Sequence, residues 1–287
     1  MQFERKTRAG NINSIIKLLI KIILIILVLF IVFVLFGMMV PDVSYAGLSL
    51  DKVLGIWLFD EGKGTIAKDS SGNGNDAEEA MKGPSWAKGK FGQGLKFEQK
   101  GWYDCDNPVM TQTVNFTMGV WCLPADKQKT WTNILSTHQE PPRRGISFEQ
   151  TENNVNTIGL ALGNGADWAA HPDFKVKMTT DKWNHIAVVR DGGTGYYYKN
   201  GEVVSEQPFK GPKKPVVLPT SNFRIGNWVL GGREWNGVVD EAFLFERALS
   251  KDEIKSIFKL GLEGAQPVSP KDRAATCWGK LKSWRKD

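Results

Sequence analysis

The stretch KWNHIAVVRDGGTGYYYKNGEVV, residues 182–204, decides the fold. Four alternating residues at its start share one face of an extended strand: Trp183, His185, Ala187 and Val189. The DGG triplet that begins at Asp191 then turns the chain into a second strand, 195–199. A second turn follows at Asn200 and Gly201. The stretch therefore predicts a β-meander.

Short segments of the same kind recur along the chain, each bounded by Gly, Asn, Asp or Pro. The predicted strands are 53–59, 94–98, 116–123, 146–149, 157–162, 183–190, 195–199, 222–226 and 237–245. Many short strands with almost no helical period are typical of two sheets packed face to face. The sequence therefore predicts an all-β fold, a two-sheet antiparallel β-sandwich or jelly roll.

One helix is predicted after the strands. Ser250 is placed to cap it, and Glu253, three residues on, completes a capping box. Ile254 and Ile257 lie on its apolar stripe, and Gly261 ends it. We also expect Arg247 to clamp a carboxylate such as Glu241, and His185 to be a packed residue within its strand rather than a base.

Composition excludes several classes of protein. A chain of 287 residues that is 41% hydrophobic can bury one large core. The net charge is +6, but residues 47–287 hold 32 basic and 29 acidic residues, which leaves only +3 there. This balance is too mild for a nucleic-acid partner, so none is predicted. Eleven Trp and 30 Gly beside three His suit a loop-rich β protein better than a metal or acid–base enzyme.

The N-terminus predicts export and a membrane partner. The chain runs from Ile22 to Val40 without a charge, after a basic head and before Pro41 and Asp42. This hydrophobic helix can cross a bilayer, with the N-terminus in the cytoplasm and the rest outside. Ser44-Tyr45-Ala46 also forms a signal-peptidase site before Gly47, so both a cleaved signal peptide and a retained signal anchor stay open.

Three regions are predicted: a basic segment with the signal or anchor in 1–46, the β-sandwich in 47–264, and a basic, flexible tail in 265–287. Outside the cytoplasm, a disulfide between Cys105 and Cys122 is possible. Two core thiols on neighbouring strands are the alternative. Cys277 leaves the number of thiols odd in either case.

Six ordered segments resemble the laminin-G-like (LamG-like) jelly-roll domains of bacterial surface proteins. They are GIWLFDEGKGTIAKDSSGNGND (55–76), WAKGKFGQGLKFE (86–98), FTMGVWCLP (116–124), KWNHIAVVRDG (182–192), YYYKNGEVV (196–204) and NGVVDEAFLFERALSKDEI (236–254). The resemblance covers 50–262. It implies a concanavalin A-like sandwich, often with a structural Ca²⁺, used in adhesion, in carbohydrate attachment or as a module beside enzymes. It fixes no ligand.

A calcium site is predicted around the loop DSSGNGN. Its oxygen donors stand at alternate positions before a glycine bend, as in the first half of a calcium loop: Asp69, Ser71, Asn73 and Asn75. Ala80 stands where a closing Glu is expected, so Asp240 is the candidate for that role. The resemblance implies that the first and last strands lie close together, which would add Asp60. The alternative is a glycine-rich turn whose side chains bond their own backbone.

Two loop stretches combine aromatic and polar side chains suited to a sugar ring and its hydroxyls. They supply the candidate ligand-binding residues Asn164, Asp167, Trp168, His171, Trp228, Arg233 and Trp235. The alternative is that these aromatics are tucked over a sheet edge.

The function predicted from these residues is an extracytoplasmic, calcium-stabilised module that binds carbohydrate or a surface glycoconjugate. A protein-adhesion or structural module with an envelope protein as partner is the alternative. An enzyme is not expected. A retaining glycoside hydrolase needs two carboxylates on one strand face, and Glu241 and Glu246 point to opposite faces. Serine-hydrolase, phosphate-loop and zinc-helix motifs are missing from the sequence.

Overall fold

The structure is a computed structural model that describes residues 20–29, 47–106, 114–125, 128–137, 143–150, 157–164, 175–208, 223–228 and 231–267. The chain divides into two units, Met1–Ser44 and Tyr45–Asp287, and each is described by itself. The domain boundaries predicted after residues 46 and 264 stay predictions. Most of the predicted tail, 268–287, lies outside the described residues.

In the first unit the described residues form one helix, α1, over 20–29. Lys21 is its one charged residue. Among the residues that the structure describes, no helix is both long enough and apolar enough to cross a membrane. The predicted span from Ile22 to Val40 lies mostly outside the described residues, as does the cleavage site at 44–46.

The second unit is built from strands and a terminal helix. In chain order they are β1 (Val53–Trp57), β2 (Ile66–Ala67), β3 (Ala77–Met81), β4 (Ser85–Lys88), β5 (Gln93–Glu98), β6 (Trp102–Cys105), β7 (Phe116–Pro124), β8 (Asn133–Ser136), β9 (Arg144–Gln150), β10 (Thr157–Asn164), β11 (Val176–Lys177), β12 (Asn184–Asp191), β13 (Thr194–Lys199), β14 (Glu202–Pro208), β15 (Phe223–Ile225), β16 (Asn236–Phe245) and α2 (Lys251–Ala265). All nine predicted strands are present, with ends within two residues of the prediction.

The strands form two antiparallel sheets of eight. Sheet A has the order β14-β13-β12-β7-β16-β5-β4, and β1 also pairs with β16. Sheet B has the order β11-β10-β9-β8-β15-β6-β3-β2. The predicted meander is present, since β12, β13 and β14 are consecutive neighbours in sheet A. The predicted two-sheet antiparallel sandwich is confirmed.

Two hydrophobic clusters explain why these sheets pack. The larger cluster takes side chains from both sheets, including Trp57 and Phe97 from sheet A and Phe148 and Phe223 from sheet B. The smaller cluster lies between sheet A and α2. The centre of sheet A is therefore buried on both faces, which is why every residue of β16 after Asn236 is buried.

Helix α2 begins where the sequence predicted. The Ser250 side chain accepts from the Glu253 N–H, and the Glu253 carboxylate accepts from the Ser250 N–H, which completes the capping box. Gly261 has φ +75°, outside the helical region, at the predicted end of the helix. One further turn continues to Ala265. Ile254 and Ile257 are fully buried on the face that meets sheet A.

The structure corrects the prediction of a disulfide, since Cys105 and Cys122 are not bonded to each other. They lie in different sheets, on β6 and β7, and both are buried in the core. The Cys122 thiol is directed to the Met178 sulfur at 3.4 Å and the Asn184 carbonyl at 3.6 Å. Burial raises the pKa of the Cys122 thiol. Both residues are core thiols, although their strands are not neighbours.

Candidate functional site

The loop 69–76, predicted to bind calcium, is held by hydrogen bonds within the chain. The Asp69 carboxylate accepts from the N–H groups of Ile56 (3.0 Å), Ser71 (2.9 Å) and Asn75 (3.0 Å). The Asn73 and Asn75 side-chain amides donate to carbonyls of β1 at 2.8 and 2.7 Å. These contacts match those of a glycine-rich turn that bonds its own backbone. These hydrogen bonds therefore attach the loop to β1.

The other two predicted metal ligands, Asp60 and Asp240, meet at a different turn, 89–93. Oδ2 of Asp240 accepts from the N–H groups of Lys90 (2.7 Å) and Phe91 (2.9 Å). Oδ1 of Asp60 accepts from the Gln93 N–H at 2.7 Å. A Cβ at Gly92 would lie 1.9 Å from Asp60 Oδ1, and Gly92 has φ +55°. Glycine is therefore required for this turn to approach the carboxylate.

Burial makes this turn electrostatically unusual. Asp240 is fully buried, and its Oδ1 has no hydrogen-bond partner. Burial raises the pKa of Asp240 to about 7, the charge of Asp60 adds to this, and the N–H groups of Phe91 and Lys90 oppose it. The next residue, Glu241, has φ +48° and accepts from the Leu262 N–H at 2.9 Å. Burial likewise raises the pKa of Glu241 to about 8.

Asp60 and Asp240 supply oxygen donors of the kind that hard cations take. Two carboxylates lie close enough to interact, and one buried oxygen has no partner. Calcium takes carboxylate and carbonyl oxygens and would favour the ionised form of both acids. No group of three or more Asp, Glu, His or Cys suited to a metal is found within the described ranges. Any further ligands at this turn would be backbone carbonyls or water.

A second candidate site lies where β8 and β9 of sheet B meet the loop before β16. Trp131 is 40% exposed and has φ +68°, a conformation that a bulky side chain rarely adopts. The Arg233 guanidinium lies 3.8 Å from the Trp228 ring centroid and 6.0 Å from the Trp131 ring centroid. We call these three residues the Trp131–Arg233–Trp228 platform. Buried Glu149 lies beneath it, with Oε2 3.9 Å from Arg233 Nη1.

Backbone contacts hold the platform in place. The Trp131 N–H donates to the Gln150 carbonyl at 2.8 Å. The Asn133 N–H donates to the Arg233 carbonyl at 2.9 Å, and the Asn133 amide donates to the Trp131 carbonyl at 2.6 Å. Asn133 therefore ties Trp131 to Arg233.

Asn227 supports the other end of the platform. Its fully buried Oδ1 accepts from the N–H groups of both Trp228 (2.7 Å) and Arg233 (2.9 Å). The Trp228 carbonyl accepts from Arg224 at 3.0 Å, and Arg224 forms a bidentate pair with Asp104 at 2.6 and 2.7 Å. The platform is thus held by fixed groups of sheet B before any ligand arrives.

The predicted ligand-binding residues divide three ways. Trp228 and Arg233 come together in the platform. Trp235 is a correction: it is fully buried in the core, so its ring cannot stack on a sugar. Asp167, Trp168 and His171 lie outside the described residues, as does the side chain of Asn164, whose backbone ends β10.

Trp131 was not among the predicted ligand-binding residues. It lies in a polar segment, KTWTN, outside every predicted strand. A tryptophan that belongs to no alternating pattern was the available signal, because no predicted strand assigns it to a core face. Its positive φ was not readable from sequence.

Arg247 and His185, which were expected to be structural, both contact other residues within the fold. Arg247 pairs with Glu253, not Glu241, through Nη2–Oε1 (2.6 Å) and Nη1–Oε2 (3.1 Å). His185 is fully buried, and its ring lies 5.3 Å from that of Trp121 and 6.1 Å from that of Phe258. Burial lowers the pKa of His185 to about 3, so the ring is neutral at physiological pH.

Comparison with solved structures finds the same sandwich in proteins of low identity. Domain 4 of AbnA, a GH43 extracellular arabinanase from Geobacillus stearothermophilus, in complex with arabinotriose, has a TM-score of 0.55 at 20% identity, over 72% of this chain and 98% of that one. The binding domain of Paraclostridial Mosquitocidal Protein 1 gives 0.52 at 13% identity, over 73% of this chain and 52% of that one. A mutant of Trypanosoma rangeli sialidase displaying trans-sialidase activity gives 0.55 at 16%, over 79% of this chain and 36% of that one.

These structures correct one prediction. The chain was expected not to be an enzyme, yet its fold is found in a domain of an arabinanase and within a sialidase. The prediction that the chain is not an enzyme is therefore wrong, since enzymes share this sandwich.

A search of curated protein sequences finds no match. A family model does match: the laminin-G model described as concanavalin A-like lectin/glucanases superfamily covers residues 97–255, more than half of the chain. This confirms the resemblance, and four of the six sequence segments lie wholly within the matched range. The chain belongs to the concanavalin A-like lectin/glucanase superfamily.

Proposed function

We propose that the sandwich binds carbohydrate outside the cytoplasm through the Trp131–Arg233–Trp228 platform. The single observation that carries this proposal is Trp131, an exposed tryptophan at φ +68° beside an arginine that stacks on a second tryptophan. Backbone strain of this kind is concentrated at functional sites, where the surrounding structure maintains it.

The chemistry of the platform suits a sugar. The apolar face of a sugar ring packs on an indole, and hydroxyl groups bond to charged side chains at the ring edge. Arg233 provides donors, while Glu149 lies buried below it and offsets part of its charge. Because the charges of Arg233 and Glu149 lie close together, they partly offset each other, and the platform suits a neutral saccharide.

The proposed location rests on the sequence. The uncharged stretch from Ile22 to Val40, preceded by basic residues, would carry the sandwich across the membrane and either anchor it or be removed. The membrane and envelope carbohydrate are thus the proposed partners.

We also propose that Ca²⁺ stabilises the domain at the 89–93 turn, with Asp60 and Asp240 as its carboxylate ligands. The support is the buried Oδ1 of Asp240 and the interaction between the two acids. The ion would neutralise both carboxylates and hold the turn against β16. In the 69–76 loop, both oxygens of Asp69 already accept hydrogen bonds from N–H groups of the chain.

The test of carbohydrate binding is calorimetric titration of the full chain, first with arabinotriose and then with a panel of neutral and acidic polysaccharides. We expect saturable binding that Trp131→Ala weakens about tenfold or more, the loss of one aromatic contact. Leu260→Ala is the matched control, since Leu260 is 41% exposed and lies on α2, away from the platform.

Binding that is equal in wild type and Trp131→Ala would refute the platform. A panel in which no saccharide binds, while one envelope protein is retained stoichiometrically, would favour the adhesion function instead.

A further inference from the structure

A cleft of about 280 Å³ opens on the face of sheet A that α2 covers only in part. Its floor is a row across three strands, in which Val189 of β12 lies opposite Tyr196 of β13, and Tyr196 lies opposite Glu206 of β14. The turn that leads into α2 forms its wall, with Leu249 and Lys251. The cleft shares no residue with the platform.

The wall of the cleft is fixed. The Leu249 N–H donates to the Thr117 hydroxyl at 2.9 Å, and that hydroxyl donates to the Arg247 carbonyl at 2.8 Å. Ser250 is held by the capping box of α2. The cleft is therefore preformed, as small-molecule sites usually are.

Polar groups of different kinds converge on this cleft. Asp191 and Glu206 bring carboxylates, Lys251 brings an ammonium group, and all three are exposed. Tyr196 is half-buried and Tyr198 is buried. Burial raises the pKa of Tyr198 to about 12, with further contributions from Tyr196 and Glu206, so these three groups lie within electrostatic reach of one another.

This lining suits a neutral, polyhydroxylated ligand. A cation would meet Lys251, and an anion would meet Asp191 and Glu206. A neutral polyol avoids both conflicts, because its hydroxyls donate to carboxylates and accept from an ammonium group. The apolar floor of Val189, Leu249 and the Tyr196 ring suits the face of a sugar ring.

We infer that this cleft is a second saccharide site, which accepts one neutral sugar ring. The inference shares its ligand class with the proposed function and would make the domain bivalent for a polysaccharide. A ring in a small, open cleft binds with roughly millimolar affinity. Two weak sites that engage one polymer give a higher overall avidity than either site alone.

The test uses fluorine NMR of the full chain labelled with 3-fluorotyrosine and 5-fluorotryptophan. The detergent is one whose headgroup is not a sugar. D-glucose and L-arabinose, as their methyl glycosides, are the probes, titrated to about 100 mM. Variants Tyr196→Phe and Trp131→Phe assign the two resonances. We expect saturable shifts of Tyr196 that persist in Trp131→Ala.

Glu206→Gln is the functional variant, and we expect it to weaken the Tyr196 response about tenfold. Its matched control is Glu202→Gln on the same strand, since Glu202 is exposed and does not line the cleft. Both positions lie on an exposed strand edge, so both variants are expected to fold.

The outcomes separate the two proposals. Shifts at Trp131 but not at Tyr196 would overturn the second site and leave the platform standing. Shifts at Tyr196 alone would support the second site and contradict the platform. Equal weakening by Glu206→Gln and Glu202→Gln would assign the response to surface charge and overturn the second site.

Discussion

Burial has different consequences in sheet A and at the border of sheet B. The centre of sheet A is closed on one face by the core and on the other by α2, and it carries buried ionisable residues such as His185, Asp240 and Glu241. Sheet B carries an exposed, strained Trp131 at its border. The difference teaches that the closed centre of sheet A sets stability and its pH dependence, whereas recognition belongs to the open borders of the sandwich.

The largest effect should come from opening sheet A. Ile257 is fully buried between α2 and sheet A, so Ile257→Ala should lower the free energy of unfolding by about 2–5 kcal/mol through lost packing and a cavity. Urea unfolding measures it, with Leu260→Ala on the exposed side of the same helix as control. Equal losses in the two variants would mean that α2 does not close the sheet.

The second largest effect should come from Ca²⁺ at the 89–93 turn of sheet A. At a free concentration about 100-fold above its Kd, an ion that binds only the folded state adds about 2.7 kcal/mol. Asp240→Asn should abolish this gain, because its amide oxygen still accepts from Lys90 and Phe91 but carries no charge. Thermal melting of chelator-treated protein with and without Ca²⁺ measures it.

The control for calcium is Asp51→Asn, an exposed carboxylate before β1. Identical melting temperatures with and without millimolar Ca²⁺ in the wild type would remove the calcium proposal.

The third effect is a pH dependence that arises from His185. Its pKa is about 3 in the folded chain against 6.5 for the unperturbed group, so between these values only the unfolded chain binds the proton. The free energy of unfolding should therefore decrease as pH falls below 6.5, by up to about 1.4 kcal/mol per pH unit. Above 6.5 this contribution should be constant.

His185→Phe removes the titrating group and keeps an aromatic ring beside Trp121 and Phe243. The difference between variant and wild type in urea unfolding, measured from pH 7 to pH 4, isolates the histidine from the acids of sheet A. Parallel curves would show that His185 is protonated in the folded chain.

The smallest effect belongs to the border of sheet B. Glycine tolerates φ +68° where other residues are strained, so Trp131→Gly should be about 0.5–1 kcal/mol more stable than Trp131→Ala. Both should weaken saccharide binding at the platform about tenfold or more. If Trp131→Gly is instead the less stable of the two, the backbone at 131 is not strained, and the argument from strain for the platform fails.

The sandwich was predictable because its central strands repeat a two-residue pattern between clear turns. Strands such as β3, with the sequence AEEAM, and the two-residue β2 were not, since their polar or short sequences acquire strand structure only by pairing with neighbours. The capping box of α2 was read correctly because a cap depends on residues three apart.

The candidate site was predictable only in part. The proximity of Asp60 and Asp240 followed from the family resemblance, but the turn between them depends on glycines that reach carboxylates far away in the sequence. Trp228 and Trp235 look alike in sequence, yet one stacks on Arg233 and the other lies in the core. How deeply a side chain is buried depends on the tertiary structure, so it could not be read from the sequence around Trp228 and Trp235.

The single oxygen of Asn227 that receives the N–H groups of Trp228 and Arg233 closes the base of the segment between them. This shared oxygen therefore fixes where the backbones of the two platform residues stand relative to each other. One buried side chain that contacts no solvent thus sets the starting points of both the indole and the guanidinium.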